Sequence, residues 1–211
     1  MQYKRMSLDA SPIGRGLLWG GAVPHPECAG YGVVYFAEKA MRGQGESLMG
    51  KRCIVTGSGK VALHVAEKLL ELGATPMTFT DSSGHVFEPE GFDVEKFKKI
   101  AKIKQERGAR TPRGYIVASP SAKYNEPQSV FDAPADVAFL CRTSNELTEV
   151  EANALVASGC KTVVDGGYRP VSTAAAEVLK KNGIFHVPYR GTMIGAAISG
   201  GRELDRNPLK P

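Results

Sequence analysis

The residues best suited to chemistry form a short glycine-rich loop, Gly57-Ser58-Gly59-Lys60-Val61-Ala62. The loop follows an apolar run, precedes a helical pattern and fits the spacing G-x-G-x-x-A. In such loops the first glycine permits a tight turn, and the second lets the backbone approach a pyrophosphate. The free N–H groups at the start of the next helix favour an anion at the same place. We therefore predict that Gly57, Ser58, Gly59, Lys60 and Val61 bind the phosphates of a dinucleotide.

An acidic residue, Asp81, ends the next apolar run, near the distance at which an acid contacts the adenosine ribose. Ser82 and Ser83 follow it and offer hydroxyl groups to a 2′-phosphate, while Lys60 or His85 would add positive charge. These residues favour NADP over NAD as the cofactor. The same pattern also fits a strand–helix–strand unit whose glycines serve only the turn, so ligand binding is a hypothesis at this level.

The elements that must hold these residues alternate between apolar strands and amphipathic helices. The predicted strands cover 53–56, 76–80, 136–140, 161–165 and 184–187, and the predicted helices cover 31–42, 60–72, 94–107, 148–158 and 172–182. Buried strands that alternate with helices favour a parallel sheet covered on both faces. We therefore predict an α/β fold with a Rossmann-like, doubly wound, mostly parallel sheet in three layers.

The chain is predicted to form one dinucleotide-binding domain over residues 31–205. The glycine- and proline-rich residues 1–30 are predicted to be an irregular arm or linker, and 206–211 a tail. Prolines at four positions between 108 and 135 predict a long, mostly irregular connection there.

Composition limits the kind of protein and its partners. With 42% hydrophobic and 23% charged residues, the 211-residue chain is typical of a globular protein, and no apolar run is long enough to predict a membrane span. The net charge of +5 permits an RNA partner, but the lysine-rich pattern over 94–107 favours a solvated helix face. Four widely spaced cysteines predict reduced thiols rather than a metal site, and hence a reducing compartment, either mitochondrial matrix or cytoplasm.

Longer segments resemble the C-terminal, NAD(P)-binding half of hexameric-type glutamate dehydrogenases, and the NADP type most. In order, they are GRGLLWGG, AGYGVVYFAEKA, GKRCIVTGSGKVA, TDSSGHVFEPEGF, SNELT and AISGG, and together they span about residues 14–207. The resemblance implies that Thr143 and Asn145 join the cofactor-binding residues. It also implies a weak substrate contact at Ser199, for which a turn beside Gly200 and Gly201 is the alternative interpretation.

The sequence departs from the family pattern where the nicotinamide and the substrate would lie. Ala29 stands in the position of a threonine, and Tyr168 and Met193 stand in positions of asparagines. Arg142 replaces an alanine at a point where the backbone should lie close to the cofactor. The family's lysine-bearing P-x-K-G-G segment, which belongs to its preceding catalytic domain, has no counterpart.

These departures predict a chain derived from glutamate dehydrogenase that binds NADP(H) and has no catalytic residues of its own. Such a chain would serve as an accessory or structural subunit of a larger assembly, with other protein subunits as partners. Its basic charge favours a mitochondrial assembly. The alternative hypothesis is a part of an active NADP-dependent glutamate dehydrogenase, which interconverts glutamate with 2-oxoglutarate and ammonia.

Overall fold

The computed structural model describes residues 25–105, 115, 119, 121–125 and 129–205. Its strands are β1 (Arg52–Val55), β2 (Thr75–Pro76), β3 (Thr78–Asp81), β4 (Gly84–Phe87), β5 (Lys123–Asn125), β6 (Val137–Leu140), β7 (Thr162–Asp165) and β8 (Phe185–Val187). Its helices are α1 (Cys28–Arg42), α2 (Lys60–Glu71), α3 (Val94–Gln105), α4 (Glu149–Ala157), α5 (Thr173–Lys181), α6 (Tyr189–Thr192) and α7 (Ile194–Asp205).

The main sheet has five parallel strands in the order β2-β1-β6-β7-β8. The chain leaves β1 toward β2 on one side and returns to β6 on the other, so the winding direction reverses between β1 and β6. In doubly wound sheets a ligand crevice opens outside the carboxyl ends of the strands at such a point. The predicted parallel sheet is confirmed, and the predicted glycine loop follows a strand at this crevice.

Helices cover both faces of this sheet, because successive strand residues point to opposite sides. Cys53 and Val55 of β1 belong to a core that also contains residues of α1, α2 and α3. Ile54, between them, belongs to a second core with residues of α4 and α5. The sheet therefore lies between two helical layers, which confirms the predicted three-layer fold.

The strand predicted over 76–80 divides in two at Met77 and serves two sheets. Residues before Met77 pair with β1 in the parallel sheet, and residues after it form an antiparallel sheet in the order β3-β4-β5. The division is possible because threonine side chains replace main-chain bonds to β1. The Thr78 hydroxyl accepts a hydrogen bond from Val55 N (3.0 Å) and donates one to Val55 O (3.1 Å). The main chain of β3 is therefore free to pair with β4.

Several elements were missing from the sequence-based prediction. The strands β4 and β5 were not predicted, and β5 lies with a 3₁₀ turn, Val130–Asp132, in the stretch predicted as mostly irregular. Helices α6 and α7 were also not predicted. Of the predicted arm and tail, residues 1–24 and 206–211 lie outside the described residues, as do the last two residues of the helix predicted over 94–107.

Helix α1 begins at Cys28, three residues before the predicted start, because its glycines are packing positions rather than breaks. A Cβ atom added to Gly30 would lie 2.6 Å from the Cβ of His64 in α2. A Cβ added to Gly32 would lie 2.6 Å from the Cα of Gly195 in α7. Two helix crossings thus depend on glycine at these positions.

A buried carboxylate, Glu88, joins α3 to the segment that follows it. It accepts hydrogen bonds from Lys96 Nζ (2.8 Å) and Ser119 Oγ (2.6 Å), and others from Tyr115 and Ser121. Burial acts to raise the pKa of Glu88, but these hydrogen bonds outweigh it and leave the pKa lowered. Lys96 is thus paired within the chain, whereas Lys98, Lys102 and Lys104 of α3 are exposed.

Among the described residues, no helix combines the length and apolar character that crossing a membrane requires.

Replacing Gly32 by alanine should destabilise the fold, because the added methyl group meets backbone atoms that cannot move aside. We expect the free energy of unfolding to fall by about 1–3 kcal/mol in urea denaturation. Gly201→Ala is the matched control, since a Cβ at this helical glycine meets nothing within 4 Å. That variant should gain up to about 1 kcal/mol from helix propensity. Equal effects of the two substitutions would contradict the packing described.

Candidate functional site

The glycine loop after β1 is fixed from two sides. Gly57 has φ +84°, and a Cβ there would lie 3.0 Å from the carbonyl oxygen of Cys141 after β6. Its N–H donates to the Thr80 hydroxyl (2.6 Å), and Thr80 N donates back to Gly57 O (3.1 Å). The tight turn predicted at Gly57 is present, and the end of β3 holds it in place.

The second glycine leaves the N-terminus of α2 open. Gly59 is the N-cap residue, and no side chain caps the helix. A Cβ at Gly59 would meet nothing within 4 Å, although its φ of −79° would suit any residue. The first N–H groups of a helix lack partners within it, so this end can bind an anion. Ser58 is buried, Val61 is half-buried and Lys60 is exposed beside it.

Asp81 builds the turn between β3 and β4. Its Oδ1 atom accepts hydrogen bonds from Ser83 N (2.7 Å) and Ser83 Oγ (2.6 Å). Ser83, one of the two predicted phosphate-contacting serines, is therefore engaged by the turn itself. Ser82 is exposed at the tip, so its hydroxyl is the one that the turn offers to a ligand.

A cleft of about 250 Å³ opens beside this turn. Its walls come from the β3–β4 hairpin, the 3₁₀ turn, the loop after β6 and the start of α4. The lining residues are Thr80, Asp81, Ser82, Gly84, His85, Ser129, Val130, Phe131, Arg142 and Glu151. Predicted ribose-end residues and the unexpected Arg142 thus share one cleft, next to the glycine loop.

The loop after β6 carries the other predicted cofactor-binding residues, Thr143 and Asn145, and both are exposed. Asn145 has φ +54° and its N–H donates to Arg169 O (3.0 Å), which ties this loop to the loop after β7. Arg142 begins the loop, with its Cγ 3.3 Å from the position of a Cβ on Gly57. Arg142, which stands where the sequence expects the backbone to lie close to the cofactor, lines the cleft.

Sequence reasoning missed the half-buried carboxyl group that organises this loop, Glu146. Its Oε1 accepts a hydrogen bond from the Thr56 hydroxyl (2.6 Å), and its Oε2 accepts from Arg142 N (3.1 Å) and Thr143 N (3.3 Å). Burial raises the pKa of Glu146 to about 7, although these hydrogen bonds act in the opposite direction. The resemblance included this glutamate in SNELT, but nothing in the pattern marked it as half-buried.

The carboxyl end of β7 is occupied by aromatic and charged groups. Asp165 is buried and forms a hydrogen bond with His186 Nε2 (2.9 Å). It also accepts a hydrogen bond from Tyr189 N (3.0 Å). The ring of Tyr168, which is 62% exposed, meets the ring of Tyr189 edge to face, with 5.1 Å between the ring centroids. Met193 is also exposed.

Ser199 lies inside α7 and is half-buried, so the alternative interpretation as a turn residue is wrong. It is not among the residues that line the cleft. Within the described part of the chain, no three histidine, cysteine or acidic side chains are grouped closely enough to hold a metal ion. The four cysteines are free thiols.

A glycine loop that leads into an open helix N-terminus, at the reversal point of a doubly wound parallel sheet, defines a Rossmann-type α/β domain. The model of the Glutamate/Leucine/Phenylalanine/Valine dehydrogenase family matches residues 20–207. The chain belongs to this family, which confirms the resemblance found in the sequence.

Similar proteins are glutamate dehydrogenases. The chain is 37% identical over 208 residues to the NAD(P)-specific glutamate dehydrogenase of Xylanibacter ruminicola, covering 98% of this chain and 46% of that protein. It is 36% identical to the NADP-specific enzyme of Chlorella sorokiniana, covering 99% of this chain and 40% of that protein. The solved structure of Plasmodium falciparum glutamate dehydrogenase 2 matches with a TM-score of 0.85 and 37% identity, covering 97% of this chain and 46% of that one. The chain spans less than half the length of these relatives.

The raised pKa of Glu146 predicts a pH-dependent stability. The unfolded carboxyl group titrates near 4.5 and the folded one near 7, so in this interval the folded chain binds more protons. The contribution to stability is therefore full below the unfolded pKa and is lost as the pH rises through the folded one. Between about pH 5 and about pH 8, the unfolding free energy of the wild type should fall by on the order of 2–3 kcal/mol more than that of Glu146→Gln. Urea denaturation at both pH values measures this, and equal losses would contradict it.

Proposed function

We propose that this chain binds NADP(H) in the crevice between β1 and β6. The observation that carries the proposal is the open N-terminus of α2 behind Gly59, which lies next to the cleft that contains Asp81 and Arg142. The N-terminus of α2 suits a pyrophosphate. The cleft offers the Ser82 hydroxyl group, the Asp81 carboxylate and the Arg142 guanidinium group to the adenosine ribose and its substituents. The NADP-specific relatives support NADP over NAD.

Gly59→Ala tests this proposal without disturbing the fold. The backbone at Gly59 suits any residue and the added methyl group meets no protein atom, so the melting temperature should fall only slightly, because alanine is a poorer N-cap than glycine. A methyl group facing the pyrophosphate should weaken NADPH binding by about tenfold or more. Isothermal titration calorimetry with NADPH measures the change. Unaltered affinity in this variant would exclude the glycine loop as the phosphate site.

We further propose that the chain alone does not oxidise glutamate. Hydride transfer to a nicotinamide requires groups that hold the substrate and move its protons, and removing such groups costs orders of magnitude in rate. At the carboxyl end of β7 the chain presents the rings of Tyr168 and Tyr189, with Asp165 engaged by His186. The carboxylate of Asp165 also accepts a hydrogen bond from Tyr189 N, so it is engaged within the chain.

A role as a subunit of a larger assembly is supported by exposed apolar side chains. Ile194 and Ile198 lie one turn apart on α7 and are about half exposed, and Met193 and Tyr168 are exposed as well. Clusters of exposed apolar groups are typical of surfaces that another polypeptide covers. We propose that a further protein subunit covers this surface in the cell. A mitochondrial location stays a prediction from the basic charge.

Two measurements test the catalytic and the subunit proposals. The purified chain, incubated with glutamate and NADP, should form no NADPH above a no-enzyme control, whereas turnover comparable to that of its relatives would contradict the first.

The native particle in cell extract should have a mass well above the 22.6 kDa of the chain. A monomeric native particle would contradict the second.

The alternative, a part of an active NADP-dependent glutamate dehydrogenase, is favoured by one observation. The match to the relatives covers nearly this whole chain but less than half of each of them. Under this alternative, the polypeptide from the source cells would have about twice the mass of this chain under denaturing conditions, and it would oxidise glutamate.

A further inference from the structure

Arg142 is the only lysine or arginine among the described residues that line the Asp81 cleft. Its side chain is exposed, and within the described part of the chain no carboxylate forms an ion pair with it. An arginine beside acidic residues usually pairs with one of them. Arg142 has no such ion pair because the nearby acids form hydrogen bonds with other groups.

Each neighbouring acid is committed to the backbone around it. Asp81 accepts two hydrogen bonds from Ser83 in its own turn. Glu151 accepts the N–H of Thr148 (2.7 Å) in the capping box of α4. Glu146 is held by Thr56 and by backbone N–H groups of the loop. The acids thus shape the walls, and the guanidinium group of Arg142 stays available to an anion.

The base of the Arg142 side chain lies against the glycine loop, with its Cγ 3.3 Å from the position of a Cβ on Gly57, and the side chain also lines the cleft beside Asp81. The cleft that Arg142 lines includes Ser82 and Asp81, but it does not include Gly57, Gly59 or the start of α2. A dinucleotide with its pyrophosphate on α2 would therefore extend its adenosine ribose toward Ser82 and Arg142. A phosphate group bound in this cleft, beyond the pyrophosphate, would be one that the ribose carries.

We propose that Arg142 and the hydroxyl group of Ser82 form a subsite for the 2′-phosphate of NADP(H). The planar guanidinium group can donate two parallel hydrogen bonds to a phosphate, and Ser82 can donate a third. Without Arg142, the carboxylates of Asp81 and Glu151 would repel the phosphate, so Arg142 decides the preference between NADP and NAD. This inference rests on the proposed nucleotide binding and assigns the specificity of that site to a residue.

The test compares two probes that differ by one phosphate group, 2′,5′-ADP and 5′-AMP, by isothermal titration calorimetry on the full chain. The wild type should bind 2′,5′-ADP more tightly. Arg142→Ala should weaken 2′,5′-ADP binding by about 10- to 100-fold and change 5′-AMP binding by no more than about twofold. Because Arg142 is exposed, the melting temperature should not change.

Two control variants separate the geometry of Arg142 from its charge. Arg142→Lys keeps the charge but loses the paired donors, so it should bind 2′,5′-ADP with intermediate affinity. Lys98→Ala removes one positive charge from the exposed face of α3 and should leave both affinities unchanged.

The outcomes distinguish this inference from the proposed function. If the wild type binds both probes equally, or if Arg142→Ala weakens both to the same extent, the inference is overturned while nucleotide binding stands. Tighter wild-type binding of 5′-AMP would also overturn it. If the wild type binds neither probe nor NADPH, the proposed function itself fails.

Discussion

The Thr56 hydroxyl group joins the two strands on which the site depends. Thr56 follows β1, and its Oγ1 accepts a hydrogen bond from Cys141 N (2.8 Å) after β6 while donating to Glu146 (2.6 Å). Glu146 in turn accepts the N–H groups that shape the loop containing Arg142 and Thr143. One hydroxyl–carboxyl pair therefore fixes the two loops at the point where the sheet reverses its winding. Thr56 is buried and Glu146 is half-buried, so losing either would leave the other without this hydrogen bond in a place where water is a poor substitute.

A second constraint is the close approach of α1 to its neighbours. Gly30 faces α2 and Gly32 faces Gly195 of α7, with no room for side chains at either contact. These contacts set the position of α2, whose N-terminus is the proposed pyrophosphate site, and of α7, which carries the exposed apolar residues. The nucleotide end and the apolar surface are thus connected through one helix.

The two ends of the crevice differ in whether their polar groups are open to a ligand or are paired within the chain. At the ribose end, the turn at Asp81 and the loop at Arg142 leave an open cleft with polar groups in its walls. At the end of β7, the aromatic rings of Tyr168 and Tyr189 pack together, and Asp165 is paired with His186. The first arrangement offers hydrogen bonds to a ligand, whereas the second satisfies its polar groups within the chain. The proposal of nucleotide binding without catalysis is based on this difference.

The sequence by itself determined the parallel sheet, the glycine turn at Gly57 and the family, because strand patterning and loop spacing are local properties of the chain. It did not determine that 76–80 divides between two sheets, since that depends on threonine hydroxyls meeting a strand more than twenty residues away. It also treated Gly30 as the end of an arm, although a glycine in a helix is explained only by the helix packed against it. The partial burial of Glu146 and the unpaired state of Arg142 were decided by tertiary structure alone. Burial and pairing depend on which distant groups surround a side chain, and spacing along the chain carries no record of them.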